Sequence, residues 1–159
     1  MAECKTSPEV GGMGHSVKRK EDPRFIRGQG NYVDDVVRPG MVFMDIVRSP
    51  YAHAKIKSIN TEKALAHPGV AAVITGETLK EYNLHMMPTL MSDTQMVLPI
   101  EKVCYQSQEV AAVVATDRYS AADGVELVEV EYEPLPVVVD PHKATDPDAP
   151  IIRDDKEGQ

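Results

Sequence analysis

The chain has no tryptophan, two phenylalanines and an aromatic content of only 5% in 159 residues. It has two cysteines, Cys4 and Cys104, too few for a disulfide framework, so a reduced, cytoplasmic setting fits. It has no run near the ~18 apolar residues of a membrane span, and runs such as Val110 to Ala115 are short. It lacks a charged segment followed by an apolar one at its N-terminus, so no secretory signal is visible. It is short of positive charge, with 17 Lys+Arg against 25 Asp+Glu, a net −8. That balance excludes a nucleic-acid surface, which draws on clustered Lys and Arg. The one basic cluster, Lys18-Arg19-Lys20, runs straight into Glu21 and Asp22 and reads as a solvated patch.

What is present is a core-forming composition, 42% hydrophobic, in a length that suits one domain. Residues 1–17 hold Gly11-Gly12-Met13-Gly14 and few apolar anchors, and read as a flexible leader. Residues 18–145 read as the domain body. Residues 146–159 read as a polar tail whose Lys156-Glu157-Gly158-Gln159 resembles a cut in a longer sequence.

The body alternates strands and helices, a mixed α/β (α+β) sandwich. Strands are expected over Met41–Arg48, Ala54–Ile59, Val70–Thr75, Glu109–Thr116 and Glu129–Glu133, with a short last strand over Val137–Val139. Glu109–Thr116 is almost wholly apolar and is expected at the sheet centre. Asp45 in the first strand points to a solvent face or an edge. A short helix is expected from Asn60 or Thr61 to Ala66, stopped by His67-Pro68-Gly69. Gly76 is expected to end the third strand, with one helical turn over Thr78–Tyr82. Asp117 reads as the cap of a helix reaching Glu126 or Leu127. Gly124 inside that helix implies a close backbone approach. Leu84–Pro99 reads as a long ordered loop. Its Met86, Met87, Met91 and Met96 either lie on another apolar surface or fill the domain's own core.

The search for chemistry returns no site. Gly28-Gln29-Gly30 lacks the third glycine of a dinucleotide turn and the Lys-Ser/Thr of a phosphate loop, so it reads as a turn. His15, His53, His67, His85 and His142 fall at no metal-ligand spacing. Ser49 and His53 are four apart, but Pro50 breaks the helix that would pair them. Asp34-Asp35 reads as a turn or cap, and Glu129, Glu131 and Glu133 as one solvated strand face. No catalytic, cofactor-binding or metal-ligating residue is assigned.

Several segments nevertheless recur in order. They are Arg19-Lys20-Glu21-Asp22-Pro23-Arg24-Phe25, Gly28-Gln29-Gly30-Asn31-Tyr32-Val33-Asp34-Asp35, Pro39-Gly40-Met41, and Arg48-Ser49-Pro50-Tyr51-Ala52-His53-Ala54-Lys55-Ile56. Then come Pro68-Gly69-Val70, Gln108-Glu109-Val110-Ala111, Ala121-Ala122-Asp123 and Val130-Glu131-Tyr132-Glu133-Pro134-Leu135-Pro136. The ordered set resembles the molybdenum hydroxylase large subunits, the xanthine dehydrogenase/aldehyde oxidase family, over about residues 18 to 155. Asn83-Leu84-His85-Met86-Met87-Pro88, Gln95-Met96-Val97-Leu98 and Pro150-Ile151-Ile152-Arg153-Asp154-Asp155 resemble its aerobic carbon monoxide dehydrogenase branch most.

The resemblance implies an α/β-hammerhead domain from the N-terminal part of a longer subunit. It implies, for the holoenzyme, molybdopterin cytosine dinucleotide with molybdenum and copper in the large subunit. It also implies 2Fe-2S clusters and FAD in separate iron–sulfur and flavin subunits. The copper-ligating cysteine and the catalytic glutamate of that branch lie beyond this stretch, so Cys104 is not expected to be that ligand. The expected role is structural, within an enzyme oxidising carbon monoxide to carbon dioxide with water as oxygen source. Two alternatives are a scaffold of the same fold without redox activity, and a molybdenum hydroxylase for an aldehyde or N-heterocycle.

Overall fold

A computed structural model describes residues 18–90 and 93–154. The expected leader over residues 1–17 with Cys4 and His15, Met91, and residues 155–159 lie outside the described residues. The chain divides into two compact units, one through Pro39 and one from Gly40.

In the first unit Pro23 opens a one-turn helix, α1 (Asp22–Phe25), as proline suits a first turn that needs no donor. The backbone N–H groups of Gly28 and Gln29 close back on Phe25 and Arg24, so Gly28-Gln29-Gly30 is the turn expected of it. The Phe25 and Tyr32 rings stack across that turn at 5.5 Å between centroids. Asp35 accepts from the Tyr32 N–H at 2.9 Å and fixes a 3-10 turn over Val33–Asp35, the capping role expected of the Asp34-Asp35 pair.

The second unit holds two three-stranded antiparallel sheets and a hairpin. β1 (Phe43–Arg48) and β3 (Val70–Thr75) flank β7 (Glu109–Ala115), giving the order β1-β7-β3. β6 (Lys102–Val103) and β8 (Glu129–Pro134) flank β2 (Ala54–Asn60) in the other sheet. As its apolar run predicts, β7 is central, with Val110, Ala111, Ala112, Val113 and Ala115 buried. Val110 packs on Ala54 and Val103 of the second sheet, while Ala111 and Val113 pack on Val47, Ala64 and Val128. Ile59 and Val130 touch both clusters and join them into one core. Asp45 lies exposed on the edge strand β1, where it accepts the Ile46 N–H at 2.7 Å.

The helices are short and capped. α2 (Glu62–Leu65) follows Asn60, whose side chain accepts from the Glu62 N–H at 3.0 Å. α4 (Arg118–Leu127) begins at Asp117, whose carboxylate takes the N–H groups of Tyr119 and Ser120, both at 2.9 Å, and the Ser120 hydroxyl at 2.7 Å. Those bonds, the Ser120 hydroxyl foremost, hold the Asp117 carboxyl below the usual carboxylate range. α4 packs on the first sheet and against α2.

Three expectations are corrected in part. The third strand ends before Gly76 as expected, but the helix begins at Gly76 itself and not at Thr78, forming α3 (Gly76–Glu81), capped by Thr75. A Cβ at Gly76 would lie 2.8 Å from the carbonyls of Leu98 and Pro99, so glycine is required for closeness. Val137–Val139 is not a strand, because Pro134 and Pro136 remove two ladder donors and β8 ends at Pro134. The expected loop over Leu84–Pro99 contains a hairpin, β4 (Met86–Pro88) and β5 (Thr94–Met96). Met86 pairs with Met96, Met87 with Gln95 and Pro88 with Thr94. Met86, Met87 and Met96 are exposed, so they do not fill the domain's own core.

Candidate functional site

Three of the segments that recur in order, Arg48–Ile56, Gln108–Ala111 and Val130–Pro136, meet at one junction in the second unit. A register shift between Val47 and Arg48 turns the end of β1 and re-aims Arg48. Its guanidinium donates to the Ser107 carbonyl at 2.9 Å and to Glu109 at 2.6 Å. Ser107 sits at φ +65°, which presents its N–H to the Ser49 carbonyl at 2.9 Å. The Ser49 N–H donates in turn to the Gln108 carbonyl at 2.9 Å. Each segment's backbone is thereby sealed by the next.

Ser49 and His53 are both buried here, at 2% and 5% exposure. They do not form a nucleophile–base pair. The Ser49 hydroxyl donates to the Tyr51 carbonyl at 2.9 Å and accepts the Tyr51 N–H at 3.1 Å. His53 Nδ1 lies 2.6 Å from the Pro136 carbonyl, so Nδ1 carries the proton and donates. The His53 carbonyl accepts the Leu135 N–H at 2.9 Å. His53 Nε2 is buried and has no protein partner among the described residues. Tyr132 packs against Tyr51, at 5.4 Å between ring centroids. Burial pushes the Tyr132 phenol above its ordinary pKa, with Ser49 pulling part of the way back.

Glu109 is held below the usual carboxylate range, first by its own backbone N–H and then by Arg48. Tyr105, which donates to Glu109 at 3.2 Å, is pushed up by burial and by that negative charge. A depressed carboxyl stabilises the fold above its unfolded pKa and loses that contribution as pH falls through the folded one. Arg48 and Glu109 are half-exposed, so the pair is worth less than about 1 kcal/mol. Glu109→Gln is expected to flatten the acid limb of a melting-temperature profile below the ordinary carboxylate range, leaving the neutral limb within that margin. An unchanged acid limb would contradict it.

The other candidate groups disperse. Glu129 and Glu133 pair with Lys63 and Lys57, the solvated face expected of them. His67 Nε2 lies 3.9 Å from Asp123. His142 sits exposed in a 3-10 turn over Pro141–Lys143. His85 directly precedes β4, and its carbonyl accepts the Val97 N–H at 2.9 Å. Among the described residues no three His, Cys, Asp or Glu side chains gather into a metal-binding group. The Cys104 thiol donates to the Ile152 carbonyl at 3.6 Å. That donor set does not fit a molybdenum or copper centre, and no chemistry of such a centre is assigned to these residues. The chain's strongest local feature is therefore a structural knot. Its one signal in the sequence was the spacing of its motifs, since no single residue type marks it.

The two antiparallel sheets and the sealed junction define a class. The family described as "Aldehyde oxidase and xanthine dehydrogenase, a/b hammerhead domain" matches residues 27–136, and the chain belongs to it. Within that family it matches the N-terminal region of carbon monoxide dehydrogenase large chains. It is 65% identical over 144 residues to the "Carbon monoxide dehydrogenase large chain" of Afipia carboxidovorans, covering 91% of this chain and 18% of that one. It is 57% identical over 150 residues to the protein of that name from Hydrogenophaga pseudoflava, covering 94% and 19%. The solved "Reconstituted CO dehydrogenase from Oligotropha carboxidovorans" superimposes with a TM-score of 0.83 at 65% identity, over 91% of this chain and 18% of that one. The chain thus spans about a fifth of the length of these relatives. No helix among the described residues is long and apolar enough to cross a membrane.

Proposed function

We propose that this chain is the N-terminal hammerhead region of the large subunit of an aerobic carbon monoxide dehydrogenase. In that reading it is structural, framing a molybdenum domain that lies elsewhere in the subunit. The observation that carries this is 65% identity over 91% of the chain to a carbon monoxide dehydrogenase large chain. The hammerhead body is taken as residues 18–145, with a leader before it and a polar tail over residues 146–159. The holoenzyme would hold molybdopterin cytosine dinucleotide with molybdenum and copper in the large subunit. A solved relative at 65% identity is a "Cu,Mo-CO Dehydrogenase", which supports that pair of metals. The holoenzyme would hold 2Fe-2S clusters and FAD in partner subunits, in the cytoplasm.

Two preparations test this. The purified 159-residue chain is expected to contain no stoichiometric molybdenum and to oxidise no carbon monoxide. Co-expressed with the rest of the Afipia carboxidovorans large chain and its partner subunits, it is expected to co-purify and restore activity that the rest lacks alone. Molybdenum at one per chain in the first preparation, or no co-purification in the second, would overturn the reading.

A further inference from the structure

The hairpin β4–β5 of the second unit carries three exposed methionines, Met86, Met87 and Met96. Met86 and Met96 stand directly opposite each other across the strand pair, at 42% and 38% exposure. Directly opposed residues project from the same face, so they form a single flexible apolar pad. A two-stranded hairpin has little independent stability, yet this one is held in place from one side.

That side is the segment Ile152–Asp154. The Arg153 guanidinium donates to the Thr94 carbonyl at 3.1 Å and lies 3.7 Å from Asp93. Asp154 pairs with Lys102 at 2.6 Å, with Lys102 only 14% exposed. The Cys104 thiol holds the Ile152 carbonyl. A cavity of about 360 Å³, lined in part by Met96, Pro99, Cys104 and Ile152, lies between the strap and β5. The strap therefore runs along the methionine pad, and polypeptide leaving Asp154 starts beside it. In the relatives about four-fifths of the large chain lies outside the matched region. Polypeptide tethered at a few residues' distance meets the pad at a high effective concentration.

We propose that the Met86/Met96 face of the hairpin is the docking surface for the part of the large chain that follows Asp154. This rests on the reading of function above. The partner surface is apolar and irregular, the kind a flexible thioether pair can follow.

Methionine oxidation tests it. Brief exposure to dilute peroxide, read by mass spectrometry, reports each thioether's access. Met44, 63% exposed on β1, is the internal reference. In the chain co-expressed with the rest of the Afipia carboxidovorans large chain, Met86 and Met96 are expected to oxidise about tenfold more slowly than in the chain alone, with Met44 unchanged. M96E is expected to weaken the assembly about tenfold, at an exposed position where the fold tolerates charge. A complex that forms with Met86 and Met96 still reactive, or that tolerates M96E, overturns the docking surface and leaves the function standing. Absence of any complex overturns the function itself. Protection that grows with the concentration of the chain alone identifies a second copy as the occupant and also overturns the proposal.

Discussion

Gly124→Val is expected to lower the melting temperature by about 6–12 °C. A Cβ built at Gly124 would lie 2.8 Å from Val113 Cγ1 and 2.9 Å from Val70 Cγ2. Val113 cannot swing aside, because it is fully buried on the central strand and its branched Cβ restricts χ1. The helix would have to lift off the sheet. Overpacking of this kind costs about 1–3 kcal/mol, and the two further methyl groups of valine deepen it. Gly124→Ala is a sharper test because two effects oppose. Alanine regains about 1 kcal/mol of helix propensity while its methyl meets Val113. The clash is expected to win, leaving a net loss of about 1 kcal/mol. Val113→Ala alone opens a cavity and costs about 2 kcal/mol. Combined with Gly124→Ala it removes the nearer of the two atoms that the new methyl strikes, leaving Val70 Cγ2. The pair is therefore expected to be less destabilised than the sum of its singles by about 1 kcal/mol. Strict additivity in denaturant melts would show that the contact does not limit the helix position.

That contact was legible in part. A glycine inside an otherwise regular helical pattern announces a close approach, but not which strand it approaches. The same split runs through the fold. β7 could be placed at the centre from Val110-Ala111-Ala112-Val113 alone, because only a strand covered on both faces tolerates such a run. Asp117 could be placed as a cap from its position before a helical repeat. The hairpin could not be read. Met86-Met87-Pro88 and Thr94-Gln95-Met96 carry neither alternation nor a tight-turn signal, and their pairing depends on what the strap holds. Val137–Val139 misled for the converse reason. Three β-branched residues look like a strand, but Pro134 and Pro136 lack the N–H donors that would carry the ladder forward, and no strand pairs with the segment.

The junction shows the limit most plainly. Ser49 and His53 stand four apart in the sequence and invite a catalytic reading. The structure directs each to a backbone carbonyl instead, and the long-range partner of His53 lies 83 residues away. Local spacing cannot predict such a bond, since it is set by the pairing of β2 with β8. What the sequence did carry was the co-occurrence of both segments. Arg48 to Ile56 and Val130 to Pro136 belong to one family pattern because one structural knot needs both.

His53→Ala is accordingly expected to destabilise the chain by about 2–4 kcal/mol, comparable to losing a large core side chain. Two losses add. The imidazole leaves a void at a site 5% exposed, and the Pro136 carbonyl loses its donor. Pro136 lies beyond the end of β8 at Pro134, so no ladder N–H takes the place of the imidazole at its carbonyl. His53→Asn separates the two losses. Its amide nitrogen sits where Nδ1 sits, so it can still donate to Pro136, although the side chain is smaller. It is expected to recover about 1 kcal/mol relative to alanine. His53→Gln places its nitrogen at the Nε2 position instead, beside a group that has no protein partner among the described residues. It is expected to recover less than asparagine. The order histidine, asparagine, glutamine, alanine in urea midpoints is the signature of a directed hydrogen bond. Equal stability of asparagine and alanine would reduce His53 to a space-filler and remove the bond that joins the two motifs.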